Sequence, residues 1–159
     1  VLVAATTRGV CAVSLGARAS ELVAALRAEF SAAELTRNDR GMRGYARAIA
    51  RYIAGDKTDL ALPLDIRATA FQRKVWKLLQ TIPYGETRTY SEIAQRAGAP
   101  RAVRAVARAI ATNPVALVIP CHRAIRKNGE LAGYRWGLER KTALLAREKA
   151  VTSEGASDE

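Results

Sequence analysis

The segment from Thr89 to Asn113 constrains the fold of this chain more than any other. Thr89 and Glu92 make the Thr-x-x-Glu pattern of a capping box, in which hydroxyl and carboxylate each satisfy a backbone amide at the start of a helix. A short helix over Tyr90–Ala97 follows, Gly98 stops it, and Pro100 opens a second helix of about a dozen residues. Short helix, glycine-containing turn and longer helix is the helix-turn-helix pattern. An advance of about 100° per residue puts Val103, Val106 and Ile110 on one face of the second helix and Arg101, Arg104 and Arg108 on the other. A charge stripe is most often a solvated face, but no acidic residue lies between Pro100 and Asn113, so these arginines read as phosphate contacts.

The flanking sequence carries the same bias. The chain holds 26 Lys+Arg against 15 Asp+Glu, a net charge of +11, and residues 66–150 alone carry +12 while residues 1–65 carry +2 and residues 151–159 carry −3. Such a field attracts polyanions, of which nucleic acid is the commonest for a globular chain. With 49% hydrophobic residues the chain buries a core, yet no uninterrupted apolar run exceeds five residues, far short of the roughly 20 that cross a bilayer. Nothing in Val1–Gly9 has the succession of a signal peptide. A soluble, cytosolic protein with no membrane partner is expected. Cys11 and Cys121 have no spacing that pairs them, and with His122 they fall short of the about four ligands of a closed zinc site, so free thiols and no metal are expected.

Local patterns outline the rest. Leu2–Thr6 and Val10–Leu15 read as a hairpin turning at Thr7, Arg8 and Gly9. Ser20 is placed to cap Glu21–Phe30, and Tyr45, Ile49, Tyr52 and Ile53 share one face of a helix closed by Gly55. Leu60–Leu64 reads as an edge strand because Pro63 cannot donate to a ladder. Thr69 caps a helix whose apolar positions are Phe71, Val75, Leu78, Leu79 and Ile82, ended by Pro83. Val115–Ile119 reads as a buried strand, Asn128-Gly129 as a hairpin or loop turn, and Leu138–Lys149 as a last helix. On that helix Glu148 stands on the stripe of Leu138, Leu144 and Leu145, a carboxylate carried on the buried side. The expected fold is α/β (α+β): a small N-terminal α/β unit over 1–65, a mostly helical domain over 66–150 with a winged helix-turn-helix, and a disordered tail over 151–159.

A cysteine at the end of a buried strand is usually a small hydrophobe. Cys121, however, is followed by the only histidine, His122, and by Arg123 in a basic segment, and these neighbours favour thiolate over thiol. An imidazole acting beside it needs a partner to fix its tautomer, and Glu148 is the candidate.

Pro120-Cys121-His122-Arg123, preceded by Asn113-Pro114 and followed by Gly133-Tyr134-Arg135-Trp136-Gly137, resembles the O6-alkylguanine-DNA alkyltransferase family, in particular the C-terminal domain of bacterial Ada proteins. The resemblance is collinear over nearly the whole chain. It takes in Leu62–Arg67, Thr69–Gln72, Val75-Trp76, Thr81–Pro83, Gly85–Thr87 and Arg101–Ala107. It implies direct repair, in a bacterial cytosol and at the nucleoid: a monomer binds duplex DNA carrying O6-alkylguanine, flips the base, and moves the alkyl group to Cys121 once, without a cofactor. It also implies roles for single residues. Arg104 would fill the space of the flipped nucleotide, with Arg101, Arg108 and Arg123 on the DNA. His122 would link Cys121 to Glu148 through water, and Tyr90 would donate to guanine N3. Asn113 would tie the recognition helix to the cysteine segment. Tyr134 and the Arg135 amide would close over the base beside Pro120, and the carbonyls of Cys121 and Ala124 would accept from its exocyclic amine. The family commonly has valine at Ala124, a difference of pocket volume only. Full-length Ada proteins carry an N-terminal zinc and regulatory domain without counterpart here, and the start at Val1 is read as that of a piece of a longer protein.

Two other readings compete. One is a DNA-binding or lesion-sensing regulator with a structural Cys121. The other is a cysteine hydrolase using Cys121, His122 and Glu148, disfavoured because neighbours on an extended segment point to opposite sides.

Overall fold

The structure, a computed structural model, describes residues 1–155. The chain runs β1 (Leu2–Thr6), β2 (Gly9–Ser14), α1 (Ala19–Glu29), α2 (Asp39–Ala54), α3 (Ala70–Gln80), β3 (Arg88–Thr89), α4 (Tyr90–Arg96), α5 (Val103–Ala111), a 3-10 turn (Cys121–Arg123), β4 (Ala124–Ile125) and α6 (Leu138–Gly155). This is a mostly helical fold with two small sheets. β1 and β2 form an antiparallel hairpin with a bulge at Ala4/Ala5, and β3 and β4 form a two-residue parallel pair.

Apolar periodicity decides how the helices pack. Val10 and Val13 of β2 meet Ile49 and Tyr52 of α2, Val75 and Leu79 of α3, and Val106 and Ile110 of α5 in one continuous core. Both expected caps of the central helices form. Thr69 pairs with Gln72 and Thr89 with Glu92, each hydroxyl accepting the N3 amide while the N3 side chain accepts the cap amide. Trp76 of α3 donates its indole N–H to the Ala109 carbonyl at 2.8 Å, which locks α3 to α5. Gly98, at φ 71, makes the turn between α4 and α5 in a conformation that a side chain resists.

Several local expectations need correction. Ser20 lies inside α1, which starts at Ala19 without a side-chain cap. Leu60–Leu64 is not a strand: Pro63 has no N–H to continue a ladder, and the segment touches β2 through one bridge, Val10–Leu64. Pro100 does not open α5, which begins at Val103, so Arg101 belongs to the preceding turn. Val115–Ile119 is buried as expected but coils back on itself, with Leu117 at φ 71 and the Val118 amide bonded to Ala116 O at 2.8 Å; only Val115 bridges to β2. An apolar run fixes burial and leaves the backbone conformation open. Leu138 is 48% exposed, so the buried stripe of α6 starts beyond it. Residues 151–155, expected in a disordered tail, continue α6; the remainder of that tail lies outside the described residues.

Candidate active site

Cys121 opens the 3-10 turn and is 4% exposed. Its Sγ lies 3.2 Å from Nδ2 of Asn113, a buried residue just beyond α5. The same amide donates to Ile119 O at 2.8 Å, and its Oδ1 accepts from the Val115 amide at 3.0 Å. Asn113 therefore fixes both ends of the coil that carries the cysteine and aims one N–H at the sulfur. Pro120, also buried, caps the turn and accepts the Arg123 amide at 3.0 Å.

The turn also corrects the picture of an extended Cys-His pair, because a 3-10 step rotates successive side chains by about 120° instead of 180°. His122 is fully buried and shares a 2.7 Å hydrogen bond between Nε2 and Glu148 Oε1. Its Nδ1 is buried and has no hydrogen-bond partner among the described residues. Glu148 is held from every side. Oε1 accepts from Tyr52 at 3.0 Å as well, Oε2 accepts from the Gly85 amide at 3.0 Å, and Arg123 donates to both oxygens at 2.9 and 3.0 Å. Gly85 is required there: it sits at φ 82, and a Cβ would lie 2.7 Å from Thr152 Cγ2.

Arg123 departs from expectation. It is 5% exposed, and besides Glu148 it donates to Ile82 O at 2.6 Å and to the Tyr52 hydroxyl at 2.7 Å, so it braces the carboxylate and does not reach a phosphate. Arg101, Arg104 and Arg108 are exposed.

The electrostatics follow from this burial. Burial works against the Glu148 carboxylate, but the hydrogen bonds from His122 and Arg123 outweigh it and bring its pKa down to about 2. Burial lowers the pKa of His122 below 6.5 despite the opposing pull of Glu148, so the imidazole is neutral near pH 7. With Glu148 ionised, the Nε2 proton faces the carboxylate and Nδ1 keeps a free lone pair, the form of a base. Burial also pushes the Cys121 thiol up to about 11, against the Asn113 hydrogen bond and the Lys141 charge. The expected resting thiolate is corrected accordingly: Arg123 spends its charge on Glu148, and desolvation leaves Cys121 a thiol.

A pocket of about 570 Å³ is lined on one side by Tyr90, Val103 and Arg104 and on the other by Gly133, Tyr134 and Arg135. The pKa values of Tyr90 and Tyr134 are raised by burial first and by the charge of a Cys121 thiolate second. The Tyr134 hydroxyl is buried without a partner among the described residues, and its ring meets Trp136 edge-on at 5.3 Å. The Arg135 guanidinium bonds Glu29 of α1 at 2.5 Å and the Asn113 carbonyl at 3.2 Å, which anchors the loop. Ala124 lies fully buried in β4, and its carbonyl accepts from Lys141 Nζ at 2.6 Å.

Lys141, Tyr52 and Gly85 were not expected as site residues from the sequence. Lys141 is fully buried, its pKa lowered by desolvation to about 8, and it joins Ala124 O to Ala132 O, the two flanks of the loop before Tyr134. Its signal was available: Lys141 stands seven residues before Glu148 and so shares its helix face. Among the described residues no group of three or more His, Cys, Asp or Glu is arranged to hold a metal ion, and no helix is long and apolar enough to cross a membrane.

Known proteins resemble this chain in sequence and fold. A family model described as 6-O-methylguanine DNA methyltransferase, DNA binding domain, matches residues 70–150, which include every residue from α3 to Glu148 discussed above. The chain is 48% identical over 147 residues to the bifunctional transcriptional activator/DNA repair enzyme Ada of Escherichia coli, covering 92% of this chain and 42% of that protein, so it spans less than half of that relative. It is 52% identical over 114 residues to a methylated-DNA–protein-cysteine methyltransferase of Mycolicibacterium paratuberculosis, covering 72% of this chain and 69% of the relative. The crystal structure of Mycobacterium tuberculosis OGT in complex with DNA superposes with a TM-score of 0.66 at 50% identity, over 69% of this chain and 68% of the other. With half of its length matched and its cysteine segment inside that match, the chain belongs to the 6-O-methylguanine DNA methyltransferase family.

Proposed function

We propose that this chain repairs duplex DNA by moving the alkyl group of O6-alkylguanine onto Cys121, once per molecule. The observation that carries the reading is the buried thiol that precedes a histidine whose Nε2 is held by Glu148 and whose Nδ1 has no partner among the described residues, in a fold whose arginine helix lines a pocket together with Tyr90 and Tyr134. In this reading residues 66–150 form the DNA-binding and alkyl-acceptor domain. α4 and α5 act as a helix-turn-helix, the loop before Tyr134 acts as its wing, and residues 1–65 are a separate supporting unit. The protein acts as a monomer in the cytoplasm, at the nucleoid.

DNA enters along α5, with Arg101 and Arg108 on phosphates, and the damaged base leaves the stack for the pocket while Arg104 takes its place. Tyr90 donates to guanine N3, the orphaned Tyr134 hydroxyl and the Arg135 amide close over the base, and the second lone pairs of the Cys121 and Ala124 carbonyls accept from its amine. The Cys121 proton passes through a water to His122 Nδ1, and Glu148 compensates the imidazolium. Sγ forms a bond to the alkyl carbon as the O6–carbon bond breaks, and guanine leaves with the electron pair, stabilised by the hydrogen bonds at N3 and O6. No cofactor enters this balance.

Two tests follow. Arg104→Ala is expected to slow repair of duplex substrate by about a hundredfold and repair of free O6-alkylguanine by less than about threefold, because an intercalating side chain matters only when a base must be held out of the stack. Single-turnover rates on the two substrates check this, and equal losses on both contradict it. The second test is pH. Proton transfer from a thiol to a neutral imidazole leaves the number of bound protons unchanged, so the repair rate stays level between the two limits. It falls below pH 6.5, where His122 becomes protonated, and holds up to about 8, where Lys141 loses the charge that helps Cys121 give up its proton. An acid limb with a midpoint above pH 6.5 contradicts the buried neutral base.

A further inference from the structure

Helix α2 carries a cationic face that the site does not use. Arg40, Arg43, Arg47 and Arg51 fall within about 80° of one another when each residue of the helix is advanced by 100°. All four are exposed, and none has an ion-pair or hydrogen-bond partner for its side chain among the described residues. The nearest acid on the helix, Asp39, is already bonded to Arg37 at 2.8 Å. Gly44, with open space around it, and Ala50 border this arc on its two sides and Ala54 continues it, so the neighbouring side chains on the face are small. The opposite face, through Ile49 and Tyr52, is buried, and Tyr52 bonds Glu148 at 3.0 Å. The arginine face therefore points away from Glu148, on a helix that does not line the pocket.

We infer that the arginine face of α2 is a second surface for duplex DNA, which holds the phosphates of a segment other than the one under repair. Charge and length argue for this occupant. Arg40 to Arg51 spans about 16 Å of helix, a length over which a duplex presents roughly ten phosphates. The face is all arginine, the side chain that forks onto phosphate oxygens in pairs of hydrogen bonds. Two separate DNA-binding faces let one chain hold a neighbouring segment while it inspects another.

The test pairs two short duplexes, one with a donor dye and one with an acceptor, each long enough for one protein. The native chain is expected to bring the dyes together at low salt. The variant with Arg40, Arg43, Arg47 and Arg51 changed to Gln should lose this pairing by about tenfold or more, with the slope of its salt dependence falling by roughly three to four. Its repair rate and affinity on a single short duplex should equal those of the native chain, and its thermal midpoint should be unchanged because these side chains have no partners. A control variant that loses four exposed charges elsewhere, at Arg27, Lys57, Arg67 and Lys149, should keep pairing. No pairing by the native chain, as expected if the face receives an acidic protein instead, overturns the inference. So does pairing that survives in the Gln variant, or is lost equally in the control. A Gln variant that repairs one short duplex poorly also overturns it, since the face would then belong to the repair footprint. Failure of the native chain to repair the short duplex would instead count against the proposed function.

Discussion

Glu148→Gln is expected to lower the stability of the fold by about 3 to 5 kcal/mol, moving the midpoint of thermal unfolding down by roughly 10 °C. The carboxylate accepts from Tyr52, Gly85, His122 and twice from Arg123, all in a buried site. A glutamine offers one acceptor oxygen and turns an NH₂ group toward donors, leaving Arg123, 5% exposed, as a buried charge without its counter-ion. The pH dependence has a definite sign. Glu148 titrates at about 2 in the fold against 4.5 ordinarily, so its contribution is complete above 4.5 and is lost as pH falls from 4.5 toward 2. The variant should be less stable at neutral pH and should have a shallower acid limb. Denaturant unfolding of both proteins across this range checks it. A loss below about 1 kcal/mol, or an unchanged acid limb, contradicts the role given to the network. On an Arg123→Met background the same change should cost less, because no buried cation is left stranded.

Cys121→Ser is expected to abolish transfer, by at least about a thousandfold, while fold and DNA affinity stay within about twofold of the native chain. A hydroxyl fits the space of the thiol and accepts the Asn113 amide that now lies 3.2 Å from the sulfur, so neither α5 nor the turn moves. A serine hydroxyl, however, stays protonated where the proposed mechanism has the thiol give up its proton to His122, and its oxygen is the poorer nucleophile toward an alkyl carbon. DNA affinity and single-turnover repair, measured on one preparation, separate the two effects. A variant that still repairs contradicts the assignment of the nucleophile.

What the sequence made legible was set by periodicity and by local spacing. The capping box of Thr89 and Glu92 involves residues three apart, and it forms as read, with the Glu92 amide 3.2 Å from Thr89 Oγ1. Helical spacing alone put Glu148 on a buried face, where it is 2% exposed. The failures share another cause. Arg123 follows His122 in a basic stretch, and nothing local reveals that the 3-10 turn aims it inward at a carboxylate 25 residues away. The same burial reverses the expectation for Cys121: counting neighbouring cations predicts a thiolate, while desolvation of the folded site keeps the proton on. Val115–Ile119 shows the limit of apolar runs, which announce burial without saying whether the chain is extended or coiled. Lys141 was hidden by its residue type, since lysines rarely go inside, and only its place one heptad before Glu148 betrays it.

The fate of Cys121 tests the alkyl transfer most directly. A thiolate that takes an alkyl group becomes a thioether, which neither His122 nor Glu148 can return to a thiol. The direct measurement incubates the protein with an excess of duplex containing O6-methylguanine and then weighs its peptides by mass spectrometry. Transfer is expected to stop at one methyl group per chain, with the peptide carrying Cys121 heavier by one methyl group and the peptide carrying Cys11, half-buried in β2, unchanged. Several lesions repaired per chain, or the methyl group found on Cys11, would contradict a single transfer to Cys121.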